Sequence, residues 1–190
     1  MKAAVTMSAC ALLVASALAT WKDSKALAAD SAANDASALQ MRVRALEDRA
    51  EIEQLLMEYG RTLDARDFAA YSQLFASDGE WIGAQPFGAL KGPAAIRARM
   101  EAKYNVAPGS FHLLTNAIIS IQGERATALS KWDFVIPVDG RPVIFAAGRY
   151  DDTLIREHGH WKFSKRVVAA AFTAARPAAA PAAAPAAPKP

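Results

Sequence analysis

Residues 111–171 read FHLLTNAIISIQGERATALSKWDFVIPVDGRPVIFAAGRYDDTLIREHGHWKFSKRVVAAA, and this stretch decides the fold. It separates into four long β-type runs, Phe111–Ile121, Ala126–Pro137, Pro142–Arg156 and Trp161–Ala171. Gly123-Glu124, Asp139-Gly140 and His158-Gly159 supply the turns between them. Connections this short join antiparallel neighbours, so the runs form a meander. Strand periodicity sorts their side chains. His112, Leu114, Asn116 and Ile118 share one face of the first run, with Leu113, Thr115, Ala117, Ile119 and Ile121 on the other. Both faces are largely apolar, which predicts burial on both sides. In the second run Ser130, Trp132, Phe134 and Ile136 share a face, from which Lys131 and Asp133 point away.

Upstream of the strands the pattern is helical. Ile52, Leu55, Leu56, Tyr59 and Leu63 make one continuous apolar stripe. The pattern breaks over Thr62–Asp67, and Asp67 caps a short second helix at Phe68–Phe75. Asp78-Gly79 is a turn and Glu80–Gly83 a short strand. Pro93 opens a third helix that runs to about Tyr104. Helices followed by an antiparallel meander give an α+β arrangement, with the helices covering one face of the sheet.

The ends carry different information. Lys2 followed by the apolar run Ala3–Ala19 reads as a signal peptide over residues 1–28, with small-x-small cleavage positions at Ala17-Leu18-Ala19 and Ala26-Leu27-Ala28. The protein is therefore expected to be exported, periplasmic or secreted, and free of the membrane once cleaved. Residues 29–38 read as a linker, 39–174 as the domain and 175–190 as a disordered Ala/Pro-rich tail. The 22 basic and 19 acidic residues become 19 and 18 when Lys2, Lys22, Lys25 and Asp23 leave with the signal. That balance offers no electrostatic footprint for nucleic acid. The single cysteine, Cys10, leaves too, which removes disulfides and thiolate chemistry from the mature chain.

His112 is one of three histidines and begins an apolar strand, where an imidazole needs a polar partner. Taken alone it also fits a strand-end histidine bonded to a carbonyl, and Asp64 fits a carboxylate that finishes a helix. His158 and His160 flank a turn glycine without a third ligand nearby, so no metal site is expected. Asp151 and Asp152, as strand neighbours, point to opposite faces and make no acid–base dyad. The chain has no glycine-rich phosphate loop, nucleophile elbow or dinucleotide fingerprint, which sets aside most nucleotide-dependent functions.

The order of several loose motifs carries more. Tyr59-x4-Asp64-x2-Asp67-Phe68 is followed by Leu74-Phe75-Ala-x-Asp78-Gly-x-Trp81 and Gly88-x2-Lys91-Gly92-x3-Ile96. Then come His112-x2-Thr115-Asn116 and Gly148-Arg-Tyr150-x5-Arg156-x4-Trp161-Lys-Phe163. From about Leu46 to Val168 the chain resembles the SnoaL-like branch of the nuclear transport factor 2-like superfamily, notably its hexachlorocyclohexane dehydrochlorinase and scytalone dehydratase members. The resemblance implies a cone: a strongly curved antiparallel sheet packed on N-terminal helices around an apolar pocket. It places Asp64 and His112 at the positions of an aspartate–histidine proton-transfer pair and Trp81 at a pocket tryptophan. Tyr59 stands where the dehydrochlorinase has a catalytic lysine, and the second histidine of scytalone dehydratase has no counterpart.

The resulting expectation is a small-molecule lyase, dehydratase or isomerase that needs no cofactor. Asp64 orients His112 as the base, and Tyr59 donates to a leaving group or oxyanion. Trp81, Leu114, Asn116, Trp132 and Phe134 bind a small hydrophobic, cyclic molecule, with Arg149 as a candidate anion stabiliser. The alternative is a non-catalytic binding protein for a small hydrophobic ligand. Relatives associate through the outer face of the sheet, which implies a homo-oligomer, a dimer or trimer.

Overall fold

The structure, a computed structural model, describes residues 5–84, 87–104, 106 and 108–174. The chain divides into two units, Met1–Glu47 and Asp48–Pro190. The first is helical throughout its described part, which belongs to α1 (Val5–Asp64). The linker expected over 29–38 is therefore helix: its alanines favour that state, and no glycine or proline interrupts them. The second unit begins nine residues later than the domain boundary expected at Leu39. Among the described residues no helix is long and apolar enough to cross a membrane. The Ala/Pro tail at 175–190 lies outside the described residues.

In the second unit the end of α1 buries Ile52, Leu55, Leu56, Tyr59 and Leu63, the stripe read from the sequence. The helix stops in a tight turn: the Asp67 N–H donates to the Thr62 carbonyl at 2.9 Å, and Arg66 takes a φ of 58°. Asp67 then caps α2 (Phe68–Gln73) by accepting the Ala70 N–H at 2.9 Å. Next come β1 (Phe75–Ile82), β2 (Ala89–Lys91) and α3 (Pro93–Lys103), which has proline in its first turn. The chain finishes with β3 (Phe111–Gln122), β4 (Arg125–Val138), β5 (Arg141–Glu157) and β6 (His160–Thr173).

These strands form one open six-stranded sheet in the order β2-β1-β6-β5-β4-β3. The meander β3 to β6 is antiparallel, as expected. However, β1 joins the edge of β6 in parallel, with Trp81 opposite Arg166, so the sheet is mixed. Periodicity reveals a strand but not the direction of its partner, which depends on where α2 delivers the chain. β2 has three residues, too few to show a period.

Bulges correct the face assignment. The β3–β4 register shifts between Thr115 and Ile118, where Asn116 has a φ of 53°. Beyond the bulge the phase reverses: Ile119 and Ile121 pack on the core, and Ile118 is 69 % exposed. The two-sided burial expected of β3 does not occur, since Leu113 on its outer face is 46 % exposed. A second shift lies on β6, where Phe163 and Lys165 face the adjacent Leu154 and Thr153 of β5, so that Ser164 is the extra residue and Arg166 turns inward.

Arg166 and Asp152 have no exposed side-chain surface. Arg166 Nε and Nη2 donate to the two Asp152 oxygens at 2.7 and 2.6 Å. The guanidinium lies over the rings of Tyr59, Tyr150 and Phe163 at 3.9 to 4.1 Å. Burial works against its charge, but the Asp152 carboxylate outweighs burial and holds Arg166 protonated beyond its ordinary range. Arg166→Met leaves a buried carboxylate unpaired and is expected to cost about 3–5 kcal/mol. Adding Asp152→Leu removes both charges and should recover most of that loss. Urea unfolding of the single and double variants checks this; a double variant no more stable than the single would refute the pairing argument.

Candidate active site

Asp64 is the last residue of α1 and His112 the second of β3. β3 lies at the sheet edge, so a backbone N–H turned away from β4 has no strand to pair with. Asp64 meets both needs of His112: Oδ2 accepts its backbone N–H at 2.9 Å, and Oδ1 lies 2.7 Å from ring Nδ1. A carboxylate acceptor assigns the proton to Nδ1 and leaves the Nε2 lone pair available. The ring is stacked by Phe134, with centroids 4.7 Å apart at 30°, and by Tyr104 at 6.3 Å and 26°. Its side chain is 9 % exposed. Backbone N–H and ring nitrogen are thus held by Asp64, and the ring packs on two aromatic neighbours.

His112 lines a cavity of about 480 Å³. Aromatic side chains dominate the wall: Trp81, Phe87, Trp132, Phe134 and Phe145. Tyr59, Tyr104, Tyr150 and Lys103 add polar atoms. Tyr59 Oη accepts the Trp81 Nε1 proton at 2.9 Å, which fixes the indole and leaves the phenol its own O–H to donate. Burial, followed by the nearby Asp64 charge, pushes the Tyr104 phenol well above the ordinary tyrosine range. Tyr150 is raised by burial first and by Tyr59 second. Both remain neutral hydroxyls. The chemistry on offer is one imidazole nitrogen, one lysine and several neutral hydroxyl donors beside an apolar wall.

The structure therefore brings together six of the residues read from the sequence: Asp64, His112, Tyr59, Trp81, Trp132 and Phe134. Three others lie elsewhere. Leu114 follows His112 on the same strand face but meets α1, where a Cβ added at Gly60 would come within 3.0 Å of its Cδ1. Leu114 and Asn116 line a separate hollow of about 340 Å³ with Glu53, Leu56 and Ser130. The bulge at Asn116 is what takes it away from the His112 cavity. Arg149 is 63 % exposed and pairs with Asp151 at 3.1 Å, so it supplies no charge to the cavity. In β5 the neighbours of Arg149 face inward, as strand alternation requires.

Sequence reasoning missed Tyr104, Phe145 and Tyr150. Tyr104 ends α3 at a cap position that no period marks. Tyr150 carried a usable signal, because it stands opposite Ser130 on the face that Trp132 also occupies. His160 is 77 % exposed on the β5–β6 hairpin and lies 3.4 Å from Glu51. Among the described residues no group of His, Cys, Asp and Glu is arranged to hold a metal ion.

Residues 44–167 match the family model described as the SnoaL-like domain. An uncharacterized protein of Mycobacterium tuberculosis strain H37Rv is 27 % identical over 133 residues, which cover 68 % of this chain and 90 % of the relative. Among solved structures, an NTF2-like protein with a cystatin-like fold from Novosphingobium aromaticivorans is 32 % identical, with a TM-score of 0.63. That match covers 68 % of this chain and 85 % of the other. LinA shares the fold at 20 % identity and a TM-score of 0.62, over 70 % of this chain and 93 % of its own.

The Tyr59–Trp81 bond makes a prediction within the site. Tyr59→Phe leaves a buried indole N–H without its acceptor and is expected to cost about 1–3 kcal/mol of stability. In a Trp81→Phe background the same change should cost clearly less, because the orphaned donor is already gone. Denaturant unfolding of the four proteins in this cycle provides the measurement, and additive losses would rule out the coupling.

Proposed function

We propose that this chain, which belongs to the SnoaL-like domain family, is a lyase or isomerase in which His112 takes a proton from a small, apolar, ring-shaped substrate. The observation that carries the reading is the 2.7 Å contact between Asp64 and His112 Nδ1 beside an aromatic cavity. Nε2 accepts the proton of a C–H bond next to an electron-withdrawing group. The electron pair left on carbon forms a double bond as a hydroxide, halide or other leaving group departs from the adjacent carbon. In an isomerisation it instead returns to another position with the proton. Asp64 holds the ring and stabilises the imidazolium that forms. Tyr59 directs its O–H to the leaving group or to the developing oxyanion. Stacking by Phe134 and Tyr104 keeps the base in one orientation, which favours attack without a reorientation step.

Binding without turnover is the second reading. It is favoured by the 2 % exposure of Tyr59 and the engagement of its oxygen by Trp81, which restrict the group expected to assist departure. Two further points belong to the proposal. The Lys2 start, apolar run and small-residue positions of residues 1–28 support export to the periplasm or beyond. Exposed Leu113, Ile118, Leu129 and Phe172 on the outer face of the sheet support self-association there.

A screen of hydroxylated and halogenated cyclic compounds, run on the wild type, His112→Ala and Asp64→Asn, tests the reaction. A substrate of the wild type should be turned over about 10²–10⁴-fold more slowly by His112→Ala, the range general-base catalysis supplies. Asp64→Asn should fall in the same direction. Equal rates in all three proteins would end the catalytic reading, and binding that survives without turnover in any of them would establish the carrier.

A further inference from the structure

The helical first unit carries an apolar seam whose side chains are exposed among the described residues. From residue 30 to 47 every position of α1 is exposed. Within that span Ala32, Ala36, Leu39, Val43 and Leu46 recur at intervals of four, three, four and three. This is the a/d spacing of a coiled coil. Leu39, Val43 and Leu46 are 58, 45 and 68 % exposed, although each lies mid-helix where burial would be favourable. A helix of this length gains little from its backbone alone and depends on packing along such a stripe.

We propose that this seam docks against the same seam of a second copy, in a parallel, in-register, two-stranded coiled coil. Two observations select that occupant. Val43 at an a position beside Leu39 and Leu46 at d positions is the side-chain choice that favours two parallel strands. With that register Arg42 falls at g and Glu47 at the following e, five residues on. In a parallel pair each Arg42 faces the Glu47 of the other copy, twice by symmetry. In an antiparallel pair g faces g and e faces e, and this complementarity is lost. Met41 falls at f and points away from the seam, and its 66 % exposure is unaffected by the pairing. The seam also lies beyond both expected cleavage positions, so removal of residues 1–28 would leave it intact.

The test uses the full chain with Cys10→Ser, so that one introduced cysteine reports the contact. Leu46→Cys places identical thiols opposite each other and should form a disulfide-linked dimer under mild oxidation. Ala45→Cys, at the outward c position, should not. Adding Arg42→Glu to Leu46→Cys is expected to lower the cross-linking yield at least about fivefold, since two charge pairs become repulsions. Adding Glu47→Arg as well should restore it. Far-UV circular dichroism confirms that each variant keeps its helix. Absence of a Leu46→Cys dimer, equal linking at Ala45→Cys, or failure of the double charge exchange to restore the yield would each overturn the proposal. The link reads this seam alone, whether or not the outer face of the sheet also associates.

Discussion

A fully buried guanidinium must find its neutralisation inside the protein, and Arg166 organises the core around that demand. Asp152 supplies the charge through two hydrogen bonds of 2.7 and 2.6 Å, which fixes β6 against β5. The faces of Tyr59, Tyr150 and Phe163 cover the rest of the cation, and Tyr59 brings α1 into the same cluster. A buried ion pair of this kind is weak evidence of net stability, because desolvation offsets most of its attraction. Its stronger effect is on specificity. Any register of β5 on β6 that parts the two charges leaves one of them uncompensated, and such alternatives are excluded by several kcal/mol (about 3–5).

The cluster connects directly to the cavity. Tyr59 rests on Arg166 with one face, meets Tyr150 and Phe163 edge-on, and uses its oxygen to fix Trp81. Trp132 stacks on Tyr150 at 5.7 Å and continues the wall towards Phe134. Phe134 in turn stacks on His112 at 4.7 Å. Ring contacts thus run from the central cation through Tyr150 to Trp132, and a separate pair joins Phe134 to the candidate base. The cavity wall is therefore the inner surface of the core, and a single carboxylate, Asp64, supplies the polar contacts that orient the imidazole against it.

What could be read from the sequence follows from how local each signal is. The stripe from Ile52 to Leu63, the cap at Asp67, the proline start of α3 and the four long strands all depend on neighbours within a few residues, and all appear. The pairing of β1 with β6 depends on residues more than eighty positions apart and leaves no periodic trace. Bulges have the same character. Asn116 in β3 and Ser164 in β6 each insert one residue into a regular alternation, and a single insertion reverses every face beyond it. Simple alternation therefore places Ile118 on the face of His112 and gives Arg166 no mark of burial. Of the candidate site, Asp64 and His112 occupy the motif positions to which the resemblance gives a role, whereas Asn116 and Arg149 stand in the same motifs without one and rest on strand phase or residue type. Leu114 shows a further limit: its face was right, but α1 covers that part of the face.

The edge position of His112 gives its link to Asp64 a structural role whatever the chemistry of the site. A residue on an interior strand would have both backbone groups committed to neighbours, and a carboxylate could reach only its ring. Here one carboxylate binds the ring and the backbone N–H of the same residue, so the imidazole cannot swing without breaking a contact that also closes the sheet edge. Replacing Asp64 by a group that accepts only once would leave either the ring or the backbone unsatisfied. Orientation of the base and protection of the edge are therefore a single constraint, and a protein that kept this fold only to bind an apolar ligand would still have reason to retain the aspartate. His112 carries the sharper distinction between the two readings: an apolar or amide side chain there could satisfy the wall, but only a basic nitrogen can take a proton.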